Sequence, residues 1–453
     1  MSSVPVAVLA LALVAVAIGV VRCPQRERYR RGALVRARRP WRERLVALRS
    51  TGGRVTLAGI PIRAPDEFKH FKLIGTTGTG KSTGIAELLA AALRRGDRAV
   101  VSDPDGSYAA RFASRQRGDA LLNPFEPESL RWDVYGELHH PYDCERLAGA
   151  LIPPSADPAA QEWRGYARTF MAAILRRSWA IGEHDLASLW RLIAVASGEE
   201  LRGLVVGTPA QPFLDPDNAR MFASIRSVAV SAMAALEFIV AQRAAAFSVR
   251  KWIRSGRGVL FLPYRAGQIA ALRSVISAWL RLAIIETMQG APDRDQRLWF
   301  VVDELDALGA IDGLKDALAR LRKFGGRCLL GFQSVAQVSS MYGHGDAQTI
   351  IENCGNTLIL RCSGSEQGGT SQFASRLIGE REVIRRQLSR SQERGSLFAA
   401  GSMRRTAQVT EQPVIENAVL ASELEQLADL NGFLKTASSA RWQRVRLRLP
   451  SIR

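Results

Sequence analysis

The chain has 453 residues, enough for two or three domains, and its composition of 47% hydrophobic and 23% charged residues is typical of a protein with a packed core. The formal net charge of +19 predicts attraction to a polyanion, which leaves nucleic acid and an anionic lipid surface both open. Five cysteines without CxxC spacing and five histidines without metal-ligand spacing argue against a disulfide scaffold and a zinc site.

The N-terminal segment predicts a membrane anchor. Residues 4–21 form an uncharged apolar run, about the length that crosses a bilayer as one helix, and an arginine-rich stretch follows it. The positive-inside rule places the N-terminus outside and the rest of the chain in the cytoplasm. A cleaved signal peptide is the alternative, but it would carry its positive charge before the apolar run. The arginines after the run also suit lipid headgroups, so part of the net charge belongs there.

A nucleotide site is predicted from residues 71–83. The apolar strand at residues 71–74 runs into a G-x-x-x-x-G-K-S loop, and apolar residues then recur at helical spacing. In such a loop, backbone N–H groups and the helix N-terminus face the phosphates, Lys81 neutralises their charge, and Ser82 coordinates Mg²⁺. The predicted ATP-binding residues are Gly75, Thr76, Thr77, Gly78, Thr79, Gly80, Lys81, Ser82 and Thr83.

A second element of the nucleotide site, this one acidic, is predicted at Asp303 and Glu304. They follow the continuous apolar run at residues 298–302, which is typical of a parallel strand buried on both faces. An aspartate at this position holds the water shell of Mg²⁺, and the following glutamate activates the attacking water. The alternative is a helix N-cap followed by a first-turn acid, a role that Asp306 would also suit.

A third element is Gln333, at the end of a predicted strand at residues 327–332. An amide at that point would contact the γ-phosphate, although a surface glutamine is the commoner role. Further strands are predicted at residues 98–102, 259–262 and 356–361, with helices between them, which indicates a doubly wound α/β core.

Two stretches lie apart from this strand pattern. Residues 166–178, 186–197 and 225–244 predict amphipathic helices, so an all-helical insertion interrupts the α/β core. Residues 376–405 are rich in arginine, and we interpret them as a loop that either faces DNA or is simply solvated.

Taken together, these motifs resemble the TraD-like type IV coupling proteins, the hexameric ATPases of bacterial conjugation and type IV secretion. The resemblance runs from about Arg54 onward. It is carried by residues 57–61, 224–226, 275–280 and 298–305 and by the block 319–343. It implies a RecA-like P-loop NTPase motor domain with an inserted all-helical domain and an N-terminal transmembrane helix. It also implies ATP and Mg²⁺ as cofactors, with Ser82 and Asp303 at the metal, Glu304 and Gln333 as catalytic residues, and Arg322 as an arginine finger to a neighbouring subunit.

The resemblance also implies a function and partners. The expected protein is a homo-hexamer in the bacterial inner membrane that pumps single- or double-stranded DNA, with its bound relaxase, into a type IV secretion channel. The alternatives are an FtsK-type DNA translocase and a receptor that uses ATP as an assembly switch for protein substrates. The expected division is an anchor at 1–22, a basic juxtamembrane linker at 23–53, a nucleotide-binding domain in two parts at 54–160 and 251–453, and the helical insertion at 161–250.

The sequence departs from the family pattern in three places. Ser107 stands where relatives often have an acidic residue. One membrane helix is visible where the family usually has two. The C-terminal extension that some relatives use to dock the DNA-processing complex is expected to be absent, so that substrate recognition would lie elsewhere.

Overall fold

Seventeen strands, numbered in chain order, form four sheets in the part of the chain that the structure describes. This structure, a computed structural model, covers residues 27–37, 53–155, 157–365, 368–392 and 405–448, and for 388–392 and 405–407 it gives the backbone alone. The predicted anchor, 1–22, and most of the linker, 23–53, lie outside these residues. The strands are β1 Arg28–Gly32, β2 Val35–Arg36, β3 Thr56–Leu57, β4 Ile60–Pro61, β5 Phe71–Ile74, β6 Arg98–Pro104, β7 Ala120–Leu121, β8 Arg131–Trp132, β9 Ala246–Phe247, β10 Val259–Tyr264, β11 Leu298–Val302, β12 Gly326–Phe332, β13 Asn356–Ile359, β14 Glu380–Gln392, β15 Arg405–Asn417, β16 Asn431–Lys435 and β17 Trp442–Arg446.

The largest sheet has ten strands in the order β2-β17-β16-β13-β5-β12-β11-β6-β10-β7. The seven strands from β13 to β7 are parallel, and β16 and β17 extend the sheet by antiparallel pairing. Every residue of β5, β10, β11, β12 and β13 is buried, as the apolar runs predict for central strands covered on both faces. The predicted α/β core is therefore confirmed.

Two apolar cores cover the two faces of this sheet. In β11, Trp299 and Val301 pack into one core, and Phe300 and Val302 pack into the other, because successive side chains of a strand point to opposite faces. The P-loop helix, Lys81–Arg94, packs in the first core. The second core is continuous with buried residues of the helices between β8 and β9.

Between β8 and β9 the described chain has no strand; besides loops and short 3-10 turns, it holds six α-helices. They are Pro141–Leu151, Pro158–Ala180, Leu186–Ala194, Gly198–Leu204, Ala219–Ala232 and Ala234–Ala241. The helix predicted at 225–244 is two helices, which break at Met233 and end at Ala241. The second helix contacts the helices Leu186–Ala194 and Ile269–Gln289, and its Leu236 and Ile239 are buried.

The remaining helices flank the sheet. They are Ala64–Glu67, Ser107–Phe112, Val249–Ser255, Ile269–Gln289, Leu314–Arg320, Val335–Tyr342, His344–Asn353, Gly369–Ile378 and Ala421–Glu425. Across the described residues, no single helix is long and apolar enough to cross a membrane. One bent pair is long and apolar enough only when its two parts are taken together: the 3-10 turn Pro216–Asn218 continued by helix Ala219–Ala232, and helix Ala234–Ala241, at 53° to it.

The loop predicted at 376–405 is wrong over much of its length. After helix Gly369–Ile378, strands β14 and β15 pair residue for residue as an antiparallel hairpin, and β1 adds a third strand to its edge. The arginines of β14 favoured the prediction of a loop, because a local run of charges does not show which other segments a strand pairs with. Arg381 and Arg385 share the carboxylate of Glu416 on β15, at 2.7 and 2.5 Å.

His70 fixes the start of β5 through a pH-sensitive contact. Its Nε2 donates to the Leu318 carbonyl at 2.8 Å, and its Nδ1 accepts from the Cys328 N–H at 3.0 Å, which requires a neutral ring. Burial lowers the pKa of His70 from 6.5 to about 4.

We expect acid to weaken the fold through His70. The unfolded chain binds a proton near pH 6.5 and the folded chain only near pH 4, so this stabilisation is complete above pH 6.5 and is lost as the pH falls toward 4. The loss amounts to about 3 kcal/mol. His70→Asn tolerates the positive φ of 51° and can still accept the Cys328 N–H. In urea denaturation, the stability gap between wild type and this variant should shrink between pH 7 and pH 4. The exposed His184→Asn is the control, and a gap that stays constant with pH would contradict the prediction.

Candidate active site

The phosphate-binding loop joins β5 to the helix Lys81–Arg94, at the carboxyl edge of the parallel strands. Gly80 precedes the helix with a φ of 110°, and a Cβ there would lie 2.7 Å from Leu430 Cδ2, so only glycine fits. The Lys81 Nζ donates to the carbonyls of Gly75 and Thr76 at 2.7 and 3.1 Å. Burial lowers the pKa of Lys81, and the carboxylate of Asp303 opposes that change.

Strand order brings the other predicted residues to this loop. Strand β12 lies between β5 and β11, so Gln333 and Asp303 follow strands that end beside the loop. The Ser82 hydroxyl donates to Asp303 Oδ2 at 2.6 Å. The Thr77 hydroxyl donates to Gln333 Oε1 at 2.9 Å, and Gln333 Nε2 lies 3.5 Å from Glu304 Oε1. Gln333 thus connects the loop to the acidic pair that follows β11.

The acidic pair does not cap a helix. After β11 the chain continues as a loop, and the next helix, Leu314–Arg320, has Gly313 at its N-cap. The N-cap alternative for Asp303 is therefore excluded by the structure.

The pKa of Glu304 is raised above its ordinary value by burial and then by the neighbouring charges of Asp303 and Asp306. A carboxylate with a raised pKa is a better proton acceptor near neutral pH.

The oxygen atoms at this point suit Mg²⁺. Asp303 is 4% exposed, and no described residue hydrogen-bonds to its Oδ1. A hydroxyl and a carboxylate are hard oxygen ligands, and Mg²⁺ is usually held by one or two such groups together with substrate phosphates and water. Among the described residues, no group of three or more His, Cys, Asp and Glu side chains is arranged to hold a metal ion. Ser82 and Asp303 therefore fit the predicted metal-binding role.

Two neighbours of the loop were not predicted from the sequence. The Tyr108 hydroxyl lies 2.6 Å from Asp303 Oδ2, beside Ser82. Burial raises the pKa of Tyr108 well above its ordinary value, so the phenol keeps its proton and donates it. Leu430 is the second neighbour, since its N–H donates to the Thr79 carbonyl at 2.9 Å. An aromatic residue five positions after Asp103 carries no local signal for this role.

Arg322 is not part of this chain's own site. It is exposed in the short 3-10 turn Leu321–Phe324, which precedes β12. It therefore lies at the amino edge of the parallel strands, whereas the loop and the acidic pair lie at the carboxyl edge. Ser107, one of the three expected departures from the family pattern, is exposed at the start of helix Ser107–Phe112.

A family model for the type IV secretion-system coupling protein DNA-binding domain matches residues 54–448. The chain belongs to the type IV secretion-system coupling proteins. The predicted resemblance is thereby confirmed. Coupling protein TraD of Escherichia coli strain K12 is 29% identical over 340 residues, which are 73% of this chain and 46% of TraD. A conjugal transfer protein TraG of Escherichia coli is 21% identical, over 77% of this chain and 60% of TraG. The chain spans about half the length of the curated relatives it matches.

Solved structures of a coupling protein share this fold. The plasmid coupling protein TrwB in complex with ADP and Mg²⁺ has a TM-score of 0.81 at 28% identity, over 94% of this chain and 95% of TrwB. TrwB in complex with the ATP analogue ADPNP gives the same TM-score, over 95% and 96% of the two chains. The mixed α/β fold of this coupling protein is therefore that of TrwB.

Proposed function

We propose that this coupling protein is an ATP-hydrolysing motor that drives DNA into a type IV secretion channel during conjugation. The observation that carries the proposal is the meeting of Lys81, Ser82, Asp303, Glu304 and Gln333 at one edge of the sheet. The TrwB structures, which hold ADP with Mg²⁺ or ADPNP on the same fold, support ATP and Mg²⁺ as the cofactors.

The proposed chemistry assigns one task to each side chain. Residues 75–83 bind the phosphates, and Lys81 neutralises their charge. Ser82 and Asp303 would hold Mg²⁺, which would supply positive charge against the negative charge that develops on the phosphates. Glu304 orients the attacking water and accepts its proton. Gln333 contacts both Thr77 and Glu304, so loss of the γ-phosphate would change its contacts and report hydrolysis to the neighbouring strands.

The wider assembly is proposed from the family match. We propose a homo-hexamer in the inner membrane, anchored by residues 1–22, with the ATPase body in the cytoplasm and residues 161–250 as an all-helical insertion domain. The proposed partners are DNA, a relaxase and the proteins of the secretion channel. The family match, whose description names a DNA-binding domain, and the net charge of +19 support DNA as the cargo.

The test is ATP hydrolysis by the detergent-solubilised full chain, with and without single- and double-stranded DNA. We expect DNA to stimulate hydrolysis several-fold at low salt and the stimulation to fall as salt rises, because phosphate contacts release counterions. Hydrolysis that neither DNA form stimulates would sink the motor proposal and favour the ATP-switched receptor. An FtsK-type translocase would also be stimulated by DNA, but it would not restore conjugative transfer to cells that lack the coupling protein.

Arg322 is proposed to complete the site of a neighbouring subunit. We expect Arg322→Ala to lower hydrolysis at least about tenfold, because a cation supplied across the interface stabilises transition-state charge. Lys323→Ala, an exposed cation in the same turn, is the matched control and should retain activity. Mixing Arg322→Ala with Lys81→Ala subunits should restore part of the activity, since the second variant still supplies the arginine. If mixed rings stay as inactive as the separate variants, Arg322 does not act between subunits.

A further inference from the structure

We propose that Tyr108 is a positioning residue of the nucleotide site, whose hydroxyl holds the Asp303 carboxylate in the orientation that presents its Oδ1 to Mg²⁺. This inference rests on the proposed ATPase function. Tyr108 and Asp303 are nearly two hundred residues apart in the chain, and the Tyr108 hydroxyl donates to Asp303 Oδ2 at 2.6 Å.

The contact leaves the two oxygens of Asp303 in different states. Oδ2 accepts from both Tyr108 and Ser82, each at 2.6 Å. Oδ1 is buried, and no described residue hydrogen-bonds to it. Two donors on one oxygen fix the rotation of the carboxylate, and hydrogen bonds to an ionised acceptor are the strong ones. The partnerless oxygen is then the one available to a metal or its water shell.

The backbone holds Tyr108 in place independently of ring packing. Asp103, at the end of β6, accepts from the N–H groups of Tyr108 and Ala109 at 2.9 and 2.7 Å. Between them the chain reverses through Asp105 and Gly106, both with positive φ, and the Asp105 N–H donates to the Tyr264 carbonyl of β10. The tyrosine is thus tied to the two strands that follow β11 in the sheet.

Register explains why this tyrosine reaches the site. Strand β6 pairs in parallel with β11 so that Ser102 lies opposite Val302, which places Asp103 beside Asp303. The turn after Asp103 then brings the side chain of Tyr108, which is 2% exposed, to the acidic pair that follows β11. Removal of a group that hydrogen-bonds to a metal ligand and orients it commonly lowers metal affinity about 10- to 100-fold.

Tyr108→Phe removes the hydroxyl and keeps the ring. We expect the Mg²⁺ concentration that half-saturates binding of a fluorescent, non-hydrolysable ATP analogue to rise about tenfold in the full-length variant. Binding of the same analogue in EDTA should stay unchanged, because the phosphate-binding loop is intact. Thermal unfolding in EDTA should also stay close to wild type. Tyr135→Phe is the matched control, since Tyr135 is buried among the helices between β8 and β9 and is 6% exposed.

The outcomes separate this inference from the proposed function. If wild type needs Mg²⁺ for tight analogue binding and Tyr108→Phe needs no more, Tyr108 is only a core residue and the inference is wrong. If the variant loses affinity equally with Mg²⁺ and with EDTA, the hydroxyl supports the loop rather than the metal ligand, which also overturns it. If wild type binds no analogue under any condition, the nucleotide site itself fails. A shift in Mg²⁺ dependence alone supports the inference.

Discussion

Glu304→Gln should lower kcat for ATP hydrolysis by about 10²- to 10⁴-fold, the range that a positioned general base contributes. The change keeps the size of the side chain and the neighbouring Gln333, but the amide cannot accept a proton from water. Burial and nearby Asp303 raise the pKa of Glu304, so the native carboxylate is tuned toward proton transfer near neutral pH. ATP and Mg²⁺ should still bind, because Lys81, Ser82 and Asp303 are untouched.

The measurement is hydrolysis rate together with nucleotide affinity in the same preparation. Asp306→Asn is the control, since Asp306 follows two positions later and also has a pKa raised by burial. It should retain hydrolysis within about tenfold, as expected for a carboxylate that supplies charge but no proton transfer. Equal losses in the two variants would mean that negative charge at this loop, rather than a base at Glu304, sustains the reaction. Loss of ATP binding in Glu304→Gln would also contradict the assignment.

Lys81→Ala should abolish DNA transfer in a conjugation assay while leaving membrane insertion intact. Lys81 is 6% exposed, and its ammonium group is held within the loop by two backbone carbonyls. Without it, the phosphates lose their main cation and the loop loses a clamp, so we expect hydrolysis to fall at least about 100-fold. Transfer frequency and membrane fractionation are the two measurements.

Lys251→Ala is the control for Lys81→Ala. Lys251 is exposed in the helix Val249–Ser255, which precedes β10 and lies outside residues 75–83, so the change removes a lysine without altering the loop. We expect transfer to persist in this control. Transfer that also persists in Lys81→Ala would show that ATP at this site does not drive it. Failure of Lys81→Ala to reach the membrane fraction would show that the residue is needed for folding rather than for catalysis.

The local motifs of the nucleotide site were predictable from the sequence. The loop at 75–83 and the acidic pair at Asp303 and Glu304 each follow an apolar run. A short polar or glycine-rich segment after a buried strand has few other structural roles. The residues proposed to bind phosphate and metal are therefore readable from local order, because strand, turn and helix signals act over a few residues.

The hairpin of β14 and β15 was not predictable in the same way. Its arginines at 381, 385 and 386 suggested a loop, yet they pair with Glu416 and Glu411 across the strands. Residues 28–32 then pair with β14 from the other end of the chain. Such pairing depends on contacts between distant segments, and a local pattern of charges does not record them.

By itself the sequence determined which residues can bind phosphate and Mg²⁺, because that chemistry needs particular side chains at short, fixed spacings. Only the tertiary structure decided which of them meet. Strand β12 lies between β5 and β11 and so brings Gln333 to Thr77 and Glu304. The pairing of β6 with β11 brings Tyr108 to Asp303. The order and register of parallel strands follow from packing between segments far apart in the chain, where each contact costs loop entropy that only the complete core repays.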